Sequence, residues 1–380
     1  VAVTLTGTEG PGEHGVLPAT ARACVALPGS GSEIQRLPIT SAGEDDGWLR
    51  VTSSGICGTD VGLHAAGVAA PTVLGHHVVG EIAAVGADAA RRWGAAAGSR
   101  VVLEEYLPCG TCATCRTGTY RLCAETDLWG GGRRIGTIPV SEAPGLFGGN
   151  SEYLYLPPNA VVHPLPETLD EDLAAWVLPY ANALDWTAGA GRLAPGETVV
   201  VLGPGYHGLA VVAAAVAGGA ERVVVGGLER DAERLAMAEA LGALPVVLDR
   251  SDVAGRIRAA SARDDVALVV DAVGSDPDVV GPAVDLLGHG GRLVLTSPKK
   301  PAQVGLDTSV MIRRSLTVRA VRGRAPEAVA AAIASLADGS SHLERVPTVE
   351  IPLDGVGDML SRLAAGAGPE SPHVVVRPTA

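Results

Sequence analysis

Among 380 residues there is one phenylalanine, and lysine occurs only at 299 and 300. Basic charge is short overall: 29 Lys and Arg stand against 42 Asp and Glu, a formal net charge of −13. That balance excludes the usual nucleic-acid binder and a docking face for anionic membranes, since both need a basic surface. No apolar run approaches the ~20 residues that cross a bilayer; the run at 209–217 is far shorter. Val1–Gly15 is rich in Gly, Pro and Thr and lacks the basic flank and apolar core of a signal peptide, which predicts a flexible tail. Cysteine is scarce as well. Six are present and four of them cluster at 109–123, so a metal site in a reducing, cytoplasmic setting is expected. What the chain has in plenty is Ala, Gly and Val. With 47% hydrophobic residues it is long enough to bury two cores.

The most informative stretch is 198–229. Thr198–Leu202 is almost wholly apolar, as expected of a strand buried on both faces. It meets Gly203-Pro-Gly205-Tyr206-His207-Gly208 and then an Ala/Val-rich run of helical length. The first glycine permits a tight turn, the second lets a pyrophosphate approach the backbone, and the third lets helix and strand pack closely. The free N–H groups of the helix start attract the phosphates. A second apolar run, Arg222–Gly227, leads to Glu229, about 20 residues beyond the third glycine, where an acid accepts from a ribose hydroxyl. Dinucleotide binding is the expectation, with Tyr206 and His207 bordering the cofactor. Glu229 repels a 2′-phosphate whereas Arg230 beside it would welcome one. The acid is the stronger term at short range, so NAD is expected over NADP.

Around this unit the chain divides. From about Arg22 to Leu103 short β-like runs are separated by Gly and Pro, the pattern of a β-rich domain. Cys109, Cys112, Cys115 and Cys123 then form C-x2-C-x2-C-x7-C, four thiolates able to surround one tetrahedral ion, with zinc favoured. Two disulfides or an iron–sulfur cluster fit these intervals less well. Beyond Glu171, strand starts near 198, 222, 246, 266, 292 and 316 alternate with helical segments, predicting β-α units in a parallel sheet. After Val321 a helix–strand–helix–strand tail either forms a lobe or returns to the first domain.

Gly55-Ile-Cys57-Gly-Thr59-Asp60, Gly75-His76-His77-Val-Val-Gly80 and the four-cysteine lobe, followed by the nucleotide fingerprint, resemble the zinc-type medium-chain alcohol dehydrogenase family from about residue 22 onward. The resemblance implies an α/β protein with a GroES-like β-rich catalytic domain at 1–176. A structural zinc lobe at 104–123 would belong to it, and 325–380 would complete it. A Rossmann doubly wound domain would span 177–324, with the active site in the cleft between. It also implies a homodimer or homotetramer joined through the apolar edge strand 316–321. Cys57 and His76 match the first two ligands of a catalytic zinc, Thr59 the hydroxyl that relays the substrate proton, and Asp60 the acid that orients a ligating histidine.

Three departures follow. The family's third ligand falls within Val177-Leu178-Pro179-Tyr180, none of which ligates zinc; His77 replaces a glutamate; and Gly62 replaces a proton-releasing histidine. Adjacent residues on a strand face opposite ways, so His77 is not expected to substitute. An active site without tightly bound zinc is therefore the expectation. The leading function is NAD(P)-dependent hydride transfer to or from a small alcohol or carbonyl compound. One alternative is a zinc-independent reductase of an activated C=C or C=N bond, with Thr59 or Tyr180 as acid. The other is a nucleotide-binding protein without catalysis. Tyr180, Asn182 and Asp185 are further polar candidates. Cys24, His163 and His289 are expected to pack; Arg313, Arg314, Arg319, Arg322 and Arg324 are of the sort seen on solvated faces and could equally touch phosphate or a partner, so no role is assigned to them.

Overall fold

Six runs dominated by β-branched and aliphatic residues cannot each bury two faces alone, and they do so by lying side by side. The computed structural model describes residues 17–262 and 265–379, and the tail expected at 1–15 lies outside them. Its parallel sheet runs in the spatial order Leu244–Val247, Arg222–Gly227, Thr198–Leu202, Val266–Asp271, Leu287–Leu295, Thr317–Ala320. Thr198–Leu202 is buried at every position, as a central strand covered by helices on both faces must be. Strand order reverses beside it, between 198–202 and 266–271. That reversal opens a crevice at the carboxyl ends of the strands, the place where such sheets bind ligands.

A second, mixed sheet runs Val349–Pro352, Val374–Arg377, Gly47–Gly55, His77–Val85, Arg100–Leu103, Val162–Pro164, with Tyr153–Leu156 also paired to Gly47–Gly55. A three-stranded sheet of Ser32–Pro38, Thr20–Ala26 and Thr72–Val73 lies beside it. The C-terminal tail thus returns to the first half of the chain, with Val375 opposite Gly55. The two sheets share one core: Val79 and Val102 from the mixed sheet pack in the same cluster as Val199, Val201 and Leu209. The helix Val177–Leu184, buried along almost its whole length, sits between them and packs on the helices Tyr206–Ala217 and Pro326–Ala337. Thr317–Ala320 ends the parallel sheet and is largely exposed.

Where the halves meet, His373 stacks on Trp176 with ring centroids 4.2 Å apart and planes at 25°. Its Nδ1 lies 3.1 Å from the Thr348 hydroxyl and its Nε2 has no partner. Burial, helped by the charge of Arg377, pushes His373 down to about 3, so it is neutral in the native state. The unfolded chain protonates this histidine near pH ~6.5, so its contribution is present above that pH and lost as pH falls toward 3. His373→Phe, which keeps the stack, should remove up to about 1.4 kcal/mol per pH unit from the acid-side fall in stability. Urea unfolding at pH 7, 6 and 5 measures this, and an unchanged slope in the variant would refute it.

Candidate active site and metal centres

The glycine loop is shaped for an anion. Gly203 has φ +92°, and a Cβ on Gly208 would lie 1.9 Å from the Gly203 carbonyl oxygen, whereas one on Gly205 would meet open space. The turn therefore falls on Gly203, room for a ligand on Gly205 and close packing on Gly208. Gly205 caps the helix Tyr206–Ala217 without any side-chain cap, which leaves its first N–H groups for phosphate oxygens. These features fit a dinucleotide. Beyond Gly227, Glu229 and Arg230 are both exposed on a single tight turn. Asp231 holds that turn, its carboxylate accepting from Leu228 N at 2.9 Å. No side-chain partner engages Glu229 or Arg230 among the described residues. On the other side of the crevice the buried Lys299 ammonium lies 2.6 Å from Asp271 and donates to the carbonyls of Val273 and Gly274.

Facing the loop is a polar cluster centred on Asp60. Cys57 ends the extended segment after Gly47–Gly55 and caps the helix Gly58–Ala66, which places Asp60 in its first turn. The Asp60 carboxylate accepts from Cys57 N at 2.9 Å, Gly75 N at 3.1 Å and His76 Nδ1 at 3.0 Å. Burial works against a charge on His76, but the charge and hydrogen bond of Asp60, aided by Cys57, outweigh it and hold His76 well above its ordinary value. Gly75, at φ +95°, makes the turn possible; a Cβ there would sit 2.7 Å from both Asn150 Oδ1 and Ser54 Oγ. Thr59 is exposed beside this cluster.

The expectation for His77 is corrected by the same turn. Strand pairing begins at His77, opposite Gly55, so His76 belongs to the left-handed approach and the alternation of a strand does not separate the two. Their rings are neighbours, with centroids 4.6 Å apart. The ligand atoms of Cys57, His77 and His207 all lie within 4.8 Å of one another. His77 is held well below its ordinary value by burial and then by the charges of His76 and His207. Burial and the charge of Arg324 push His207 down to about 4. The family pattern of Cys57, His76 and a donor from 177–180 finds no third donor here. Tyr180 is not an acid in this cleft: its hydroxyl is turned to Ser335 Oγ, 3.3 Å away on Pro326–Ala337. Asp185 pairs with Arg121 at 3.8 Å. Tyr206 is buried, its hydroxyl donating to the Ala175 carbonyl at 3.2 Å.

Arg324, to which the sequence assigned no role, is fully buried. It donates to Asn182 Oδ1 at 3.0 Å, lies 3.3 Å from Glu104 Oε2, and makes a close ion pair with Glu105. Burial alone would raise Glu105, but Arg324 and His76 more than offset this and hold it low. Glu104 also binds His163 at 2.8 Å and the Tyr120 hydroxyl, so His163 is paired as well as packed. The signal available in sequence was Glu104-Glu105 itself, two adjacent acids ending an apolar strand, which demand a buried cation.

The four cysteines of the lobe bring their sulfurs within 4.8 Å of one another and form no disulfide. Cys109 is pulled down to about 6 by the N–H groups of Thr111 and Cys112. Four convergent thiols with one already inclined to ionise fit a closed structural zinc site.

Comparison with known proteins agrees with this geometry. Residues 43–167 match the alcohol dehydrogenase GroES-like domain and residues 208–338 the zinc-binding dehydrogenase domain. The chain is 36% identical over 339 residues to a protein of Mycobacterium tuberculosis named "Probable alcohol dehydrogenase", covering 87% of this chain and 90% of that one. It belongs to the zinc-type medium-chain dehydrogenase/reductase family. An L-threonine 3-dehydrogenase of Bacillus velezensis is 28% identical over 77% of this chain and 81% of its own. A zinc-binding dehydrogenase structure from Sinorhizobium meliloti, bound to NADP, superposes with a TM-score of 0.82 at 26% identity, covering 95% of this chain and all of that one. This medium-chain dehydrogenase is thus an NAD(P)-dependent oxidoreductase of the alcohol dehydrogenase type.

Replacing Arg324 in it by Met leaves two buried carboxylates without their cation. The expected cost is about 3–5 kcal/mol, read as a lower urea midpoint. A midpoint within experimental error of the parent would mean that Glu104 and Glu105 take up protons at negligible cost.

Proposed function

We propose that the chain transfers hydride between NAD and the oxygen-bearing carbon of a small alcohol or carbonyl compound. One observation carries the reading: His207, inside the glycine loop, converges with Cys57 and His77, which puts nucleotide cradle and polar cluster in one cleft. Bound nicotinamide supplies the hydride chemistry. The chain supplies the rest. Gly203, Gly205 and Gly208, with the first turn of the helix, hold the pyrophosphate, and Glu229 takes the adenosine ribose. His76, oriented by Asp60 through Nδ1, exchanges a proton with the substrate oxygen, giving it during carbonyl reduction and taking it back in the reverse direction. Thr59, exposed next to Cys57, passes that proton to solvent. The reading also includes the division at 177 and 324 between catalytic and nucleotide domains. A homodimer or homotetramer forms through the free edge Thr317–Ala320, whose backbone groups offer a pairing template.

Nicotinamide absorbance followed over short alcohols, polyols and 3-hydroxy amino acids tests the reading. The last class is suggested by the threonine dehydrogenase relative. Turnover of one class is expected, and His76→Gln should lower kcat by roughly 10²–10⁴-fold while leaving the dinucleotide dissociation constant unchanged. A protein that binds NAD yet turns over none of these would sink the proposal.

Cofactor choice follows from the turn after Gly227. Glu229 and Arg230 are both exposed there, but only the acid occupies the position where a ribose is bound in such sheets. NAD should bind at least about tenfold tighter than NADP, roughly 1.4 kcal/mol, and Glu229→Ala should shrink or reverse the preference. Both dissociation constants at low ionic strength decide it. Tighter NADP binding by the parent would overturn it.

A further inference from the structure

We propose that Cys57, His77 and His207 are the ligands of a second zinc-type ion, so that the glycine loop supplies the donor that residues 177–180 lack. One thiol sulfur and two imidazoles are the ligand types zinc favours, and three of them leave a fourth position open to the cleft. Their ligand atoms lie within 4.8 Å of one another. Bond lengths of roughly 2.0–2.3 Å would draw tetrahedral ligands to about 3.4–3.6 Å, an inward movement of about 1 Å that side-chain rotation provides.

A second observation points to an occupant. His77 is 3% exposed and its Nδ1 has no hydrogen-bond partner, a state that costs free energy unless something fills it. His76, the ligand of the family pattern, holds Asp60 through Nδ1 and is not among the residues whose ligand atoms converge within 4.8 Å. The lone pair of His207 is engaged only by an amide N–H. Arg324 takes the Asn182 oxygen, so the amide nitrogen faces His207 Nε2 at 3.2 Å and that ring atom accepts. An ion would take over this lone pair from the amide. The site so formed differs from the family's in two ligands of three. It also joins the sheets, because Cys57 and His77 belong to the mixed sheet and its following turn while His207 rides on the first turn of the nucleotide helix.

Ion counting on the full-length protein tests this without any need for turnover, so its failure is distinct from failure of the hydride reading. After exhaustive dialysis the parent should retain two zinc ions per chain, one of them in the cysteine lobe. His207→Ala and His77→Ala should each retain one, and His76→Ala should retain two. Cobalt exchange gives a second readout: thiolate-to-cobalt charge transfer from Cys57 should disappear in His207→Ala and persist in His76→Ala. His207 is only half-buried, so His207→Ala decides the matter if His77→Ala fails to fold. One ion per chain in the parent would overturn the proposal. So would a second ion that survives His207→Ala and is lost in His76→Ala.

Discussion

A single buried guanidinium holds the two halves of this dehydrogenase in register. Arg324 leaves the last strand of the parallel sheet and enters the mixed sheet's territory, where Glu104, Glu105 and Asn182 receive it. Such a cluster adds little net stability, because desolvating three charges consumes most of their attraction. What it does is make misregistration expensive, since any shift strands a carboxylate in a dry interior. Two residues earlier, Arg322 donates to the Cys123 carbonyl and the Thr126 hydroxyl. The cysteine lobe is thereby fixed to the same short segment. Lobe, cleft and nucleotide sheet meet at 322–324.

That junction reaches the site through orientation. Asn182 presents nitrogen rather than oxygen to His207 because its oxygen is taken by Arg324. The sheets approach closely only because Gly55 has no side chain: a Cβ there would lie 2.9 Å from the Tyr206 hydroxyl. Asp60 performs the same service on the other wall. With three donors around it, it fixes Cys57, Gly75 and His76 at once.

Much of this was legible in the sequence because it is local. Strand and helix periodicity placed the six parallel strands within a few residues, and the glycine loop and cysteine lobe are defined by spacing alone. The β-rich half was legible in outline, although the pairing of Val374–Arg377 with Gly47–Gly55 was not, since choice of partner is not written in a strand's own residues. The active site was harder for the same reason. His77 was assigned to the wrong face because strand alternation was applied to His76 and His77, whereas the strand starts only at His77, after the left-handed turn at Gly75. His207 looked like a loop residue, and its approach to Cys57 exists only after two sheets pack. Tyr180 occupied a promising position in sequence, but helix phase turns it to Ser335. Arg324 could not be told from its company: Arg313 and Arg319 are exposed, Arg314 bonds the carbonyls of Asp285 and Leu287, and Arg324 is the fully buried one of the run.

The pairing of Lys299 with Asp271 has a consequence for the chemistry of the protein's exterior. Lysine occurs at only two positions, and Lys299 is withdrawn into a buried ion pair while Lys300 beside it is exposed. The folded surface therefore presents one side-chain amine, at the rim of the nucleotide crevice. Among side chains, acylating reagents, crosslinkers and amine-coupled supports would find that one address, and every molecule fixed through it would face its support the same way.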